Sequence, residues 1–193
     1  MSDNVKFTTP RGEAYYPCLN RTNTYKGQDT GKYTCKIVFS GGQLEEMKKL
    51  INDALVEAYG PKKAAAVWAS DKPPIRTKDG KSYVNFSTKA VTPDGKPRRV
   101  AIYDSKGRMV ERELNIGSGS AIKIQGSMSI FAPKDPGVVF YLNAVQVIKL
   151  VEYKGGANFE AEDDEDAFDS DEFDSDAHDT AEEPTTAHGR GDF

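Results

Sequence analysis

The stretch that decides the fold is AIKIQGSMSIF, Ala121–Phe131, in which apolar and polar residues alternate. A period of two is typical of a strand with one buried and one exposed face. Val138–Tyr153 predicts a second long strand, and the proline-containing segment Ala132–Gly137 connects the two. We therefore expect a pair of long antiparallel strands late in the folded part of the chain.

The two faces of Ala121–Phe131 differ in chemistry. The predicted buried face consists of Ile122, Ile124, Gly126, Met128 and Ile130, and the opposite face of Lys123, Gln125, Ser127, Ser129 and Phe131. An aromatic ring beside a cation on an exposed sheet face is typical of proteins that stack unpaired bases, because every base has a π-face. The alternative is that Phe131 folds under the loop that follows it, and the sequence leaves both interpretations open.

Earlier segments also predict strands. Alternation or flanking turn residues mark strands at Tyr33–Phe39, Tyr83–Ala90 and Arg99–Tyr103. About five strands with turns between them and one inserted helix favour a mainly β fold, a five-stranded barrel of the OB type.

The inserted helix is predicted over Leu44–Tyr59, where apolar residues recur at every third or fourth position. Ser40 can cap its N-terminus, and Gly60-Pro61 ends it. An alanine-rich continuation is expected as far as Trp68.

Charge is distributed unevenly along the chain. The net charge is −4, but residues 155–193 contain 15 acidic residues and one arginine, a net charge of −14. Residues 1–154 hold the other 25 basic and 15 acidic residues, a net charge of +10. We therefore expect a folded basic domain over 1–154, with a polyanionic partner, and a disordered acidic tail over 155–193 that ends in an aromatic residue.

Residues that would support catalysis or bind metal are scarce in the basic domain. Both histidines fall in the tail, and Cys18 and Cys35 lie outside any metal-binding spacing. The glycine-rich segment Asn115–Ser120 lacks the ending of a phosphate-binding loop, so its glycines are interpreted as a tight barrel corner. We expect no enzymatic activity, no cofactor and no metal. The sequence shows neither a membrane-spanning run nor a signal peptide, and a cytoplasmic protein is expected.

Basic residues lie beside aromatic residues at several points of the basic domain. Any single pair is more often a solvated charge next to a core ring. Their recurrence in a domain of net charge +10 predicts a surface that binds single-stranded nucleic acid. The candidate contact residues from these patterns are Arg11, Tyr25, Lys32, Tyr33, Lys81, Tyr83, Phe86, Arg98, Arg99, Lys123 and Phe131.

Several motifs occur together, and in the same order, in one protein family. Tyr103-Asp-Ser-Lys-Gly107, Ile116-Gly-Ser-Gly-Ser120 and the ending Gly191-Asp192-Phe193 resemble the single-stranded DNA-binding proteins of short-tailed T-odd coliphages and related phages. The resemblance begins at Lys6-Phe7-Thr8-Thr9 and covers nearly the whole chain.

The resemblance implies an OB barrel that coats and protects single-stranded DNA during phage replication and recombination. It implies DNA contacts at Lys6, Lys32 and Phe131. It also implies that the acidic tail occupies the DNA cleft when DNA is absent, and that Asp192 and Phe193 contact the phage DNA polymerase and the helicase–primase. Members of the family also form homodimers.

Two other functions remain open from the residues alone. An RNA-binding OB protein would have the same surface, because recognition of the 2′-hydroxyl leaves no readable pattern. An acidic-tailed chaperone or assembly factor would bind basic proteins through the tail.

Overall fold

The computed structural model describes residues 4–131 and 136–153. The chain divides into two units, Met1–Gly155 and Gly156–Phe193. The second unit lies outside the described residues, as do the predicted partner contacts Asp192 and Phe193, so the tail remains a prediction from the sequence.

The described residues form short and long strands and two consecutive helices. In chain order they are β1 (Asn4–Thr8), β2 (Gly12–Cys18), β3 (Thr24–Tyr25), β4 (Gln28–Asp29), β5 (Lys32–Phe39), α1 (Gly41–Tyr59), α2 (Pro61–Trp68), β6 (Arg76–Lys78), β7 (Lys81–Lys89), β8 (Ala101–Tyr103), β9 (Ala121–Ile130) and β10 (Val138–Lys149).

Five strands close into a barrel. Around the barrel, β2 pairs with β5, β5 with β7, β7 with β10, β10 with β9, and β9 with β2. The β7–β10 pair is parallel, and the other four are antiparallel. This confirms the predicted mainly β fold with an OB-type five-stranded barrel. The other strands extend it: β1 pairs with β9, β6 with β7, and β8 with β10, while β3 and β4 form a separate hairpin.

The two helices are inserted between β5 and β7. One face of α1 buries Met47, Ile51 and Leu55 in the barrel core, which confirms the predicted helix and its apolar face. Ser40 is the N-cap residue, but its side chain makes no capping hydrogen bond. Gly60, with φ of 78°, ends α1, and Pro61 begins α2 at the position where proline costs a helix least.

None of the helices in the described residues is long and apolar enough to cross a membrane.

The centre of the core is a group of three phenylalanine rings. The ring centroids of Phe86 and Phe140 are 5.5 Å apart, and Phe7 lies 6.0 Å from Phe86. Room for them depends on Gly126 in β9, where a Cβ atom would lie 2.7 Å from the carbonyl oxygen of Tyr141 and 2.9 Å from the Phe86 ring. Glycine is therefore required here by close packing between strands.

The structure differs from the sequence-based expectation in some strands and in the burial of two serines. The short strands β1, β3, β4 and β6 were not predicted. The strand β2 was not predicted either, because Tyr15-Tyr16-Pro17 interrupts the alternation that marks a strand. Ser127 and Ser129 were expected on an exposed face, but both are buried. Their strand is flanked by β1 on one edge and β10 on the other, and their side chains are too short to emerge between these neighbours.

Replacing Gly126 by alanine should destabilise the fold, by about 1–3 kcal/mol, because the added methyl group overlaps backbone and ring atoms. Urea unfolding followed by circular dichroism would measure the change. The matched control is Gly42→Ala in the first turn of α1, where a Cβ atom meets nothing within 4 Å. This control should be neutral or slightly stabilising. Equal effects of the two substitutions would contradict the packing argument.

Candidate nucleic-acid interface

One outward surface of the barrel concentrates basic residues. Residues paired across strands point to the same side of a sheet, and the register places the outward side chains of β2, β5, β6 and β7 on one surface, here called the outer basic face. Its cations are Lys32, Lys36, Arg76, Lys78, Lys81 and Lys89. Among the outward positions of these four strands, Glu13 supplies the one carboxylate.

Like charges lie directly opposite each other at both ends of β7. Lys78 is paired with Lys81 at one end, and Lys32 with Lys89 at the other. Such pairs destabilise a sheet. Lys81 and Lys89 are eight positions apart along β7, about 27 Å at the usual rise of a strand. The outer basic face therefore carries unfavourable charge repulsion that a bound polyanion would relieve.

A group of rings and ammonium groups, the tyrosine–lysine cluster, adjoins the Lys78–Lys81 pair and includes Lys81. Its members are Tyr15, Tyr16, Lys36, Lys81 and Tyr83. The Lys36 Nζ lies 5.7 Å from the centroids of Tyr15 and Tyr16 and 5.3 Å from that of Tyr83. A cation within about 6 Å of a ring face is attracted to it, so one ammonium group holds three rings together.

The rings of the cluster are not equally accessible. Tyr83 is only 8% exposed and has Lys36 over its ring, so it supports the cluster instead of offering a free face. Tyr16 is 63% exposed, and its ring meets that of Tyr15 edge to face at a centroid distance of 4.4 Å. Tyr16 is therefore the ring of the cluster best placed to stack on a base.

The backbone at Tyr16 is strained in a way that presents its ring. Its φ is 48°, a value that costs a non-glycine residue on the order of 1–2 kcal/mol. It lies where the β2–β5 register shifts between Tyr15 and Cys18, and irregularities of this kind redirect side chains. The Tyr16 N–H donates a 3.1 Å hydrogen bond to Oγ of Ser118, in the glycine-rich loop. The loop therefore supports the strained residue from a distant part of the chain.

Tyr15 keeps its hydroxyl proton. Burial raises the pKa of this phenol, and the hydrogen bond with Tyr16 and the nearby Asp79 carboxylate raise it further. Because this phenol remains neutral near physiological pH, Tyr15 adds no negative charge to the outer basic face.

Lys81 takes part in both an ion pair and a ring contact. Its Nζ lies 3.2 Å from Oε1 of Glu13 and 5.3 Å from the Tyr15 ring. Both side chains of the ion pair are about half exposed, so solvent screens the pair and Lys81 can exchange Glu13 for a phosphate.

The hairpin β3–β4 carries a further exposed ring. Tyr25 is exposed, with the Lys26 Nζ 5.7 Å from its centroid. The hairpin connects the first two barrel strands, and in OB folds this loop belongs to the oligonucleotide-binding surface. The predicted contact at Tyr25 is thus in an accessible place.

The Phe131 side chain is partly exposed and partly packed against the β9–β10 connection. Its side chain is 41% exposed, and a Cβ atom at Gly137 would lie 3.0 Å from its ring, so the ring rests on the backbone there. The Tyr59 hydroxyl, at the end of α1, donates to the carbonyl oxygen of Phe131 at 2.6 Å and accepts from the N–H of Gly137 at 3.2 Å. The helix therefore fastens both sides of the β9–β10 connection and orients the ring.

The other predicted contact residues lie outside the outer basic face. Lys6 on β1 and Lys123 on β9 lie on a different part of the barrel, around β9. Arg98 follows β7 and donates to Oγ1 of Thr88 at 2.9 Å. Arg11 and Arg99 are exposed, outside the strands.

Three predicted aromatic contacts need correction, and the first is Tyr83, which offers no free face to a base. Phe86 is 0% exposed at the centre of the core, so it offers no face to a base. Tyr33 is half-buried and packs against the core, because it shares the inward side of β5 with Cys35. The lysine–aromatic spacing in the sequence could not distinguish inward from outward positions on these strands.

Lys36 was missed. It lies in the strand Tyr33–Phe39 that the sequence predicts, and its neighbours Cys35 and Ile37 face the core. The alternation of that strand was sufficient to place Lys36 outside, but its ring contacts come from β2 and β7, which no local pattern reveals.

Comparisons with known proteins bear on the fold. No protein-family model and no curated protein matches the sequence. The structure is similar to that of gp2.5, a single-stranded DNA-binding protein encoded by bacteriophage T7, with a TM-score of 0.59 and 20% identity over 96% of this chain and 100% of that one. It is also similar to the single-stranded DNA-binding protein of bacteriophage Enc34, with a TM-score of 0.51 and 15% identity over 79% of this chain and 86% of that one. The expected resemblance to phage single-stranded DNA-binding proteins is thus confirmed in the fold.

Replacing Tyr59 by phenylalanine should loosen the β9–β10 connection without disturbing the core. Loss of the hydroxyl removes hydrogen bonds to Phe131 and Gly137. The free energy of unfolding is therefore expected to fall by about 1 kcal/mol. Hydrogen exchange should show faster exchange of the Gly137 amide, whose acceptor is removed. The control Tyr153→Phe alters an exposed tyrosine and should change neither quantity. An unchanged exchange rate of the Gly137 amide in the Tyr59 variant would show that the hydrogen bonds of the Tyr59 hydroxyl do not hold the connection.

Proposed function

We propose that this protein binds single-stranded DNA along the outer basic face, with phosphates on its lysines and bases on Tyr16, Tyr25 and Phe131. It acts as a binding protein without catalytic activity, which coats unpaired strands during phage DNA replication and recombination. The names of the two similar structures support this proposal, since both are single-stranded DNA-binding proteins of phages.

The observation that carries the proposal is that two lysine pairs lie opposite each other across the strands of the outer basic face, near the two ends of β7. A purely structural surface gains nothing from placing Lys32 opposite Lys89 and Lys78 opposite Lys81. A surface that binds phosphates gains attraction and releases counterions from the nucleic acid. The exposed ring of Tyr16 favours an unpaired strand, because the bases of a duplex are stacked on each other and present no free face.

Replacing Lys89 by glutamine should have opposite effects on folding and on binding. Stability should stay the same or rise by about 0.2–1 kcal/mol, because the repulsion from Lys32 is removed. Affinity for a mixed-sequence single-stranded oligonucleotide should fall, and the slope of log K against log salt should decrease in magnitude by about 0.7, the contribution of one phosphate. Urea unfolding and fluorescence anisotropy at several salt concentrations measure the two effects.

The control for this experiment is Lys49→Gln on α1. Lys49 is exposed and forms an ion pair with Asp53 at 3.0 Å, outside the outer basic face. Its removal should leave binding unchanged. Equal losses for both variants would indicate only a general charge effect. Tighter binding of a matched RNA strand, or no binding of either strand, would favour the RNA-binding or chaperone alternatives.

The acidic tail is proposed to compete with DNA for this surface. Residues 155–193 carry a net charge of −14 against +10 in residues 1–154. A flexible segment of this length would span roughly 34 Å, enough to reach across a domain whose radius of gyration is about 15 Å. Bound DNA would then release Asp192 and Phe193 for contact with the polymerase and the helicase–primase. The protein is also proposed to form a homodimer.

Deletion of residues 159–193 should tighten single-strand binding at low salt and have less effect at high salt, because screening weakens the competing tail. Deletion of Phe193 alone serves as the control. It should leave DNA affinity unchanged and abolish capture of the polymerase. Unchanged or weaker DNA binding by the truncated protein would contradict the competition.

A further inference from the structure

A second surface on the barrel carries an exposed ring that the outer basic face does not include. Tyr141 in β10 is 42% exposed, although a tyrosine in a central strand usually finds cover. Its register partners are Ser127 on β9 and Ser87 on β7, both too small to cover a ring. Nothing in the packing of the core requires an aromatic residue at this position.

A depression reaches Asn143, two residues along β10 from Tyr141. It has a volume of about 300 Å³ and is lined by Lys6, Phe7, Thr8, Gln125, Gly126 and Asn143. Lys6 is paired with Ser127, the residue that is also paired with Tyr141. Lys6 and Tyr141 therefore point to the same side of the sheet, two strand spacings or about 10 Å apart.

A bulge in β10 accounts for the presence of Asn143 in this lining. The β9–β10 register shifts between Leu142 and Ala144, which makes Asn143 the extra residue. Bulges redirect side chains and are frequent beside binding sites. Asn143 is exposed, and it brings an amide to the same depression as Gln125 and the ammonium group of Lys6.

We propose that Tyr141 and this depression form a further nucleotide position, with a base stacked on Tyr141, its phosphate near Lys6, and its polar edge at Gln125 and Asn143. This inference rests on the proposed function and extends it. Amides donate and accept equally, so the position takes any base. The chemical class of ligand is one nucleotide of an unpaired strand.

The position is continuous with the outer basic face. Along one row of paired residues, Tyr141 is followed by Ser87 on β7 and Thr34 on β5. Lys36 lies two residues further along β5, on the same side as Thr34. The distance from Tyr141 to Thr34 is about 10 Å across the strands, and Lys36 is about 7 Å beyond. A strand can therefore run from the tyrosine–lysine cluster across β7 to Tyr141.

Three variants of the full chain test the position. Tyr141→Ala should weaken binding of a mixed-sequence single-stranded DNA roughly 5- to 150-fold, the loss expected for one stacked base. Asn143→Asp keeps the shape of the side chain and adds a negative charge beside the phosphate, so it should weaken binding most at low salt. Tyr141→Trp, made with Trp68→Phe to remove the native indole, should show fluorescence quenching when DNA is added. A merely structural role of Tyr141 would not produce that quenching.

Matched controls separate this inference from the proposed function. Tyr153→Ala removes an exposed ring elsewhere, and Asn52→Asp changes an amide whose oxygen accepts from the Trp68 indole. Both should bind like the unmodified protein. If the Lys89 variant loses affinity while the Tyr141 and Asn143 variants do not, the further position is wrong and the proposed function stands. If the unmodified protein fails to bind DNA, both are wrong.

Discussion

Closure of the barrel at β9 is the constraint on which the rest of the structure depends. This strand pairs with β1 and β2 on one edge and with β10 on the other, so every side chain on it is assigned to the core or to the surface. The closure requires Gly126, since a side chain there would overlap the Tyr141 carbonyl and the Phe86 ring. With the core closed around three phenylalanines, alternation on the neighbouring strands turns their lysines outward.

On the outer basic face, ring contacts stabilise the local structure although the lysines repel one another. Lys36 is attracted to three rings, which offsets part of the repulsion among the lysines around it. The strained backbone of Tyr16 is held by Ser118, which lies 102 residues later in the chain. The fold thus supplies the free energy that maintains a surface suited to a polyanion.

The sequence alone predicted the elements that depend on local pattern. The strand Ala121–Phe131, its partner and the helix over Leu44–Tyr59 have clear periods, and the structure contains all three. The strand β2 could not be predicted, because Tyr15-Tyr16-Pro17 breaks the period at the irregularity that presents Tyr16. The irregularity that hides this strand is thus part of the candidate site.

The candidate site was predicted only in part, for a related physical reason. Lysines beside aromatics in sequence suggested the right chemistry, and Lys32 and Lys81 do lie on the outer basic face. The same reasoning selected Phe86, a core residue, because neighbours in a strand alternate between its two sides. The ring partners of Lys36 come from separate strands and required the three-dimensional register.

The closing contact of the barrel has a kinetic consequence. Gly12 pairs with Ile122, so the ends of a loop of more than one hundred residues must meet before β2 and β9 can join. Contacts this distant in sequence slow folding, whereas the helices and the β9–β10 hairpin can form early from local contacts. Ser118 reaches Tyr16 through the same long connection. A newly made chain therefore acquires the exposed ring of Tyr16 in the correct orientation only in the last stage of folding.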